Sequence, residues 1–174
     1  MAKDVDGKIS ILEEYRVDDK VGSHYTTLQD MVKYEEEGDL LKDSKRPSGC
    51  RTLLRLHRAL EFFSLFMEEL SKVEGNAGTG SLARDCYKKT LAKYHSWVIQ
   101  KSASFAMYKL PTRDVLLAKS FGKDSVSESI TPTKQDEEEW KKQSEEMIRL
   151  GQLSHQVFDS VENLYKEHNL LDLP

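Results

Sequence analysis

Residues 49–73, GCRTLLRLHRALEFFSLFMEELSKV, carry the periodicity that decides the fold of this chain. At about 100° per residue, Leu53, Leu56, Leu60, Phe63, Met67 and Leu70 form one stripe with alternating steps of three and four. Such a stripe predicts the core face of an α-helix. The opposite side carries Arg51, Arg55 and Arg58, then Phe62, Leu65 and Phe66, all within about 50° of a common line. Between the stripes lies a polar strip of His57, Glu61, Ser64 and Glu68. The second stripe is cationic at its start and aromatic further along, with a rise of roughly 16 Å from Arg51 to Phe62.

A surface of that kind complements an amphiphile with an anionic head and an apolar tail. The first turns of a helix offer free N–H groups and the positive dipole end. Arginine adds a planar fork that holds phosphate oxygens bidentately. The alternative is that Arg51, Arg55 and Arg58 pair with carboxylates and cover a solvated end. The pattern alone leaves both open.

Every other segment also shows helical rather than alternating periodicity. A first helix is expected over about residues 3–15, with Ile9, Ile11 and Leu12 apolar, and a second over 25–37 behind Ser23, ending at Gly38. Residues 42–49 form a polar loop with Pro47, and Ser48 is the expected N-cap of the central helix. Gly75, Asn76, Ala77 and Gly78 stop that helix. A fourth helix is expected over 81–108, bending near His95, then a short one over 112–121. A loop rich in Ser, Thr and Lys precedes a last helix from about residue 135, whose Met147, Leu150, Leu153, Val157, Val161 and Leu164 keep steps of three and four. The expected architecture is all-α, and the 174 residues suit a single domain.

Composition narrows the class. With 38% hydrophobic and 32% charged residues, the chain resembles an ordinary globular protein. Its net charge of −4 argues against nonspecific adhesion to nucleic acid or anionic membrane by bulk charge, and no nucleic-acid partner is expected. Cys50 and Cys86 are too few for a disulfide framework and lack metal-ligand spacing, which points to the reducing cytosol and to no metal or other cofactor. The start, Met1-Ala2-Lys3-Asp4, does not resemble a signal peptide.

The block Ser48-Gly49-Cys50-Arg51-Thr52-Leu53-Leu54-Arg55-Leu56-His57-Arg58-Ala59-Leu60 resembles the glycolipid transfer protein superfamily, and within it the members that carry ceramide-1-phosphate. Lys3-Asp4-Val5-Asp6-Gly7-Lys8-Ile9 is similar to the family's sphingoid-recognition helix, and Tyr94-His95-Ser96-Trp97-Val98 to its His-x-Trp element. The closing His168-Asn169-Leu170-Leu171-Asp172-Leu173-Pro174 resembles the end of the ceramide-1-phosphate carriers. The resemblance implies a two-layer helical sandwich with a ceramide pocket. Members usually begin with a further helix, whereas Asp4 lies almost at the first residue here, so the expected fold lacks that N-terminal helix.

Roles carry over residue by residue as what the resemblance implies. Lys8, Arg51 and Arg55 would hold the lipid phosphate. Arg55 is the discriminating position, because glycolipid-specific members place a sugar-stacking tryptophan there. Asp4 would accept from the ceramide amide, although on its own it could simply pair with Lys8 at i,i+4. His95 would donate to the ceramide carbonyl. Trp97 would dock at the membrane interface, where an amphipathic ring is favoured, although the residue alone suggests core packing. Arg58 suits a salt bridge. Phe62, Phe66, Phe105, Val98 and Leu116 are candidates to line a tail pocket.

The implied activity is transfer of ceramide-1-phosphate between membranes without chemistry. No nucleophile elbow, metal-binding histidine pair or glycine-rich phosphate loop is present in the sequence. The competing expectation is a helical lipid-sensing or protein-interaction module with impaired or no transfer. The expected location is the cytosol, with peripheral association to Golgi, plasma or other intracellular membranes.

Overall fold

The structure, a computed structural model, describes residues 2–43, 45–73, 77–120 and 134–174. Its helices are α1 (Ala2–Val17), α2 (Leu28–Glu37), α3 (Gly49–Ser71), α4 (Thr79–Lys89), α5 (Trp97–Tyr108), α6 (Arg113–Ser120) and α7 (Lys134–Glu167). Short 3-10 turns occupy Gly22–Tyr25 and Ala92–Tyr94. No strand forms among the described residues, where Gly78 and Thr112 meet in an isolated antiparallel bridge. The expected Ser/Thr/Lys-rich loop before α7, and the stop residues Gly75 and Asn76, lie outside the described residues.

Two compact units form, Met1–Leu60 with Gln156–Pro174, and Glu61–His155. The first has a core of Met31, Val32, Cys50, Leu54, Val161, Leu164, Tyr165, Leu170 and Leu173. The Tyr165 hydroxyl donates to the Cys50 carbonyl at 2.9 Å and so ties α7 to the start of α3. The second unit packs Phe66, Leu70, Ala83, Cys86, Tyr87, Leu91, Met107, Leu117 and Met147. In it, Gly80 lets α4 approach α5, since a Cβ there would lie 2.7 Å from the Met107 carbonyl oxygen.

Three expectations need correction. The second helix begins behind Thr27, not Ser23, because Thr27 is extended and its hydroxyl accepts from the Asp30 N–H at 3.1 Å. The expected fourth helix is two helices, α4 and α5, with residues 90–96 between them. His95 and Ser96 are both extended there, and neither Pro nor Gly marks the break. On α3, the expected polar strip is partly core: His57 and Ser64 are 4% and 0% exposed, while Phe63 of the expected core stripe is 40% exposed. His57 is accommodated because its Nε2 meets Glu162 at 2.8 Å and its ring stacks on Phe158 at 4.1 Å, both from α7.

The apolar stripe of α7 is likewise buried only in part. Met147 is covered in the second unit and Val161 and Leu164 in the first, whereas Leu150, Leu153 and Val157 are about half exposed.

Candidate functional site

In the first unit, α1 places Asp4 and Lys8 one turn apart, and the Lys8 ammonium donates to the Asp4 carboxylate. That bond holds the Asp4 carboxyl below its ordinary value, with a smaller contribution from the charge of Arg55. Asp4 and Arg55 are both exposed to solvent. Arg51, one turn before Arg55 on α3, is half-buried, and its Nε is buried without a hydrogen-bond partner among the described residues. A buried donor with no acceptor costs roughly 1–3 kcal/mol, so it is a place where an incoming oxygen gains most. Asp4, Lys8, Arg51 and Arg55 thus share one unit, with the charge of Arg55 felt at Asp4.

Arg58 does something else. Its guanidinium donates to the Leu171 carbonyl at 2.9 Å and so fastens the C-terminal segment to α3.

The start of α3 departs from expectation most clearly. Its N–H groups are not free for a lipid anion, because the buried carboxylate of Glu35, on α2, takes them. Gly49 N–H donates to Oε1 at 2.6 Å and Cys50 N–H to Oε2 at 3.2 Å. The Ser48 hydroxyl donates to Oε2 at 2.6 Å, and the Tyr25 hydroxyl to Oε1 at 2.9 Å. Ser48 is the N-cap, as expected, accepting from Arg51 N–H at 3.0 Å. Burial, followed by the bond to Glu35, pushes the Tyr25 hydroxyl up, and burial with the Glu35 charge does the same to the Cys50 thiol. Gly49 permits this packing, since a Cβ there would sit 2.8 Å from the Tyr25 ring and 3.1 Å from the carboxylate.

The same unit holds a groove of about 410 Å³ lined by Ile9, Leu12, Tyr25, Leu28, Met31 and Leu53, with Glu13 and Arg16 also on its wall. Its apolar floor belongs to the core, and its α1 wall is the helix that carries Asp4 and Lys8.

The second unit holds the other candidates. His95 is half-buried, with Nδ1 2.7 Å from the hydroxyl of Tyr87. Trp97, at the start of α5, is 70% exposed, with the Lys101 ammonium 5.6 Å from its ring. Val98 and Phe105 are each 65% exposed and Tyr108 is 73% exposed, so one face of α5 presents aromatic and aliphatic rather than polar surface. Val98 and Phe105 therefore do not line an interior, whereas Phe66 is buried and Phe62 and Leu116 pack against the same core. Phe62 and Phe66 stack with centroids 5.9 Å apart.

The sequence reading missed Glu35, Tyr87 and Gln100. Glu35 sits in an acidic run, Glu35-Glu36-Glu37, where nothing marks one carboxylate as buried. Among the described residues, no group of three or more His, Cys, Asp or Glu could hold a metal ion, and no helix is long and apolar enough to cross a membrane.

Comparison with known proteins agrees with this architecture. The family model "Glycolipid transfer protein (GLTP)" matches residues 1–122. The ceramide-1-phosphate transfer protein of Rattus norvegicus is 39% identical over 184 residues, covering 100% of this chain and 76% of that protein. The crystal structure of the mouse ceramide-1-phosphate transfer protein in its apo form superposes with a TM-score of 0.82 at 35% identity, covering 100% of this chain and 77% of that one. That of the human protein in complex with 12:0 ceramide-1-phosphate gives 0.78 at 36% identity, covering 99% and 77%. The all-α fold expected from the sequence is the fold of these structures. The chain belongs to the glycolipid transfer protein family.

Proposed function

We propose that this chain is a non-enzymatic carrier that binds ceramide-1-phosphate and moves it between membranes. The observation that carries the proposal is the arginine pair of α3. Arg51 keeps a buried donor without an acceptor, and Arg55 stands exposed one turn later with its charge felt at Asp4. A phosphate supplies the acceptor that Arg51 lacks and the countercharge that both need. Arginine at position 55 cannot stack against a sugar as a tryptophan would, so the head group that suits it is anionic.

The roles are those that the family resemblance implies for each side chain. Lys8, Arg51 and Arg55 hold the phosphate. Asp4 accepts from the ceramide amide N–H, exchanging part of its bond with Lys8 for the ligand. His95 donates to the amide carbonyl. Trp97, with Phe105 and Tyr108 on the same exposed face of α5 and Lys101 beside it, docks at the membrane interface, where aromatic rings with a polar edge are favoured. The carrier works in the cytosol with transient association to Golgi, plasma or other membranes, and residues 1–174 act as one glycolipid-transfer-protein-like domain.

A second reading is a lipid-sensing or protein-interaction module without transfer. The half-exposed Leu150 and Leu153 of α7 favour it, because apolar side chains at helical spacing suit a helical partner.

The deciding experiment is vesicle-to-vesicle transfer of fluorescent ceramide-1-phosphate by the chain, with a neutral glycolipid as control. Selective transfer of the phosphorylated lipid is the expected result. Preference for the glycolipid would overturn the reading of Arg55. Uptake of neither lipid by folded protein would favour the second reading.

A further inference from the structure

His95 sits where the helical path is interrupted. With φ −112° and ψ 140° at His95, and φ −61° and ψ 158° at Ser96, the backbone is extended on both sides of this peptide bond. The ring is therefore not held by the packing of a helix turn, and two other side chains hold the residue instead. From α5, Gln100 Nε2 donates to the Ala92 carbonyl at 2.8 Å and to the His95 carbonyl at 2.9 Å, fixing the backbone. From α4, the Tyr87 hydroxyl lies 2.7 Å from His95 Nδ1, fixing the ring. His95 Nε2 makes no hydrogen bond among the described residues.

Tyr87 is a firm anchor. It is 2% exposed and belongs to the same core as Leu70, Cys86 and Met107. A buried tyrosine hydroxyl needs a hydrogen-bond partner, and His95 Nδ1 is the one it has. Burial also pushes the Tyr87 hydroxyl up, so the phenol keeps its proton.

A neutral imidazole carries one N–H and one bare nitrogen, and the bond made at one nitrogen decides the state of the other. A phenol donates better than it accepts, and a bare imidazole nitrogen is a good acceptor. We propose that Tyr87 is a positioning residue: by donating to Nδ1 it fixes His95 as the Nε2–H tautomer and leaves that N–H to donate to a ligand carbonyl. Histidines that bind metals are oriented in the same way, by a hydrogen bond at the nitrogen that does not touch the metal. Gln100 complements this by fixing the peptide from which the ring projects. The inference rests on the reading of His95 as the donor to the ceramide amide carbonyl, and it adds the residue that makes His95 a donor.

Two measurements test it. Ring-nitrogen NMR shifts of His95 in the parent chain report the tautomer directly. A protonated Nε2 with a hydrogen-bonded Nδ1 is expected, and a protonated Nδ1 would overturn the proposal. Binding of ceramide-1-phosphate from phosphatidylcholine vesicles is then compared for the parent, Tyr87→Phe, His95→Ala and the double variant. Tyr87→Phe should weaken binding roughly two- to tenfold, the span of one neutral hydrogen bond, and should change little in the His95→Ala background. Equal weakening in both backgrounds would show a merely structural tyrosine, and no weakening by Tyr87→Phe alone would remove it from the site. Parental binding by His95→Ala would instead sink the ligand role of His95 itself, and with it any positioning role for Tyr87.

Discussion

Glu35 and Asp4 are carboxylates of the same compact unit in opposite circumstances. Glu35 is 1% exposed and accepts four hydrogen bonds, two from the backbone of α3 and two from hydroxyls. Asp4 has a side chain 72% exposed and held by Lys8 from its own helix. A carboxylate with every lone pair engaged is committed to the fold, because any exchange of partner strands several donors at once. One that is itself open to solvent and held by a single lysine gives up little when a ligand replaces that lysine. The anion-binding end of α3 is thus already occupied internally, and the groups left over for a ligand are side chains.

The largest test of this contrast is the pair Glu35→Ala and Asp4→Ala. The first strands two hydroxyls and two N–H groups and should cost about 3 kcal/mol in chemical denaturation. The second should move stability by no more than about 0.5 kcal/mol while weakening ceramide-1-phosphate binding. Comparable losses of stability in both would erase the distinction.

The arginines of α3 extend the comparison. Arg51→Ala or Arg55→Ala should weaken ceramide-1-phosphate binding by about a hundredfold, as expected when one partner of a desolvated phosphate pair is lost. Arg58→Ala should do the reverse, lowering stability by about 1 kcal/mol through the lost bond to Leu171 and leaving affinity near parental. Parental binding by both Arg51→Ala and Arg55→Ala would break the phosphate assignment.

A smaller effect is expected at Trp97. Its exposure means that Trp97→Ala should leave stability within about 0.5 kcal/mol, yet slow transfer between vesicles severalfold. A drop in thermal midpoint with transfer intact would return Trp97 to a packing role.

The smallest is a pH effect at Glu162. Burial alone would push its carboxyl up, but the bonds from His57 and Lys166 outweigh burial and hold it below the ordinary 4.5. As pH falls, the unfolded chain therefore takes up this proton before the folded chain does. The contribution of Glu162 is present above the unfolded value and is lost as pH drops through the lowered folded one. Glu162→Gln should flatten the acid limb of the stability profile, measured by urea midpoints from neutral into the acid range. An unchanged limb would leave the His57–Glu162 pair without electrostatic weight.

The sequence disclosed the helical segments, the phase that sets Arg51, Arg55 and Arg58 on one stripe, and the N-cap role of Ser48. These are local properties, written within a few residues of each other. Glu35 was hidden because its partners lie 10 to 15 residues away and its neighbours are also acidic. The break between α4 and α5 was hidden because hydrogen bonds from Tyr87 and Gln100 hold it, where a proline or glycine would have announced it.

By itself, then, the sequence determined an all-α chain, its family and the order of charge along α3. Tertiary structure decided which side of each helix is covered: His57 and Ser64 went inside, and Phe63, Val98 and Phe105 stayed out. Periodicity gives the angle between side chains on one helix, but says nothing of which neighbour arrives at that angle. The partner of His57 is 105 residues away on α7, and only folding brings the two within hydrogen-bond distance.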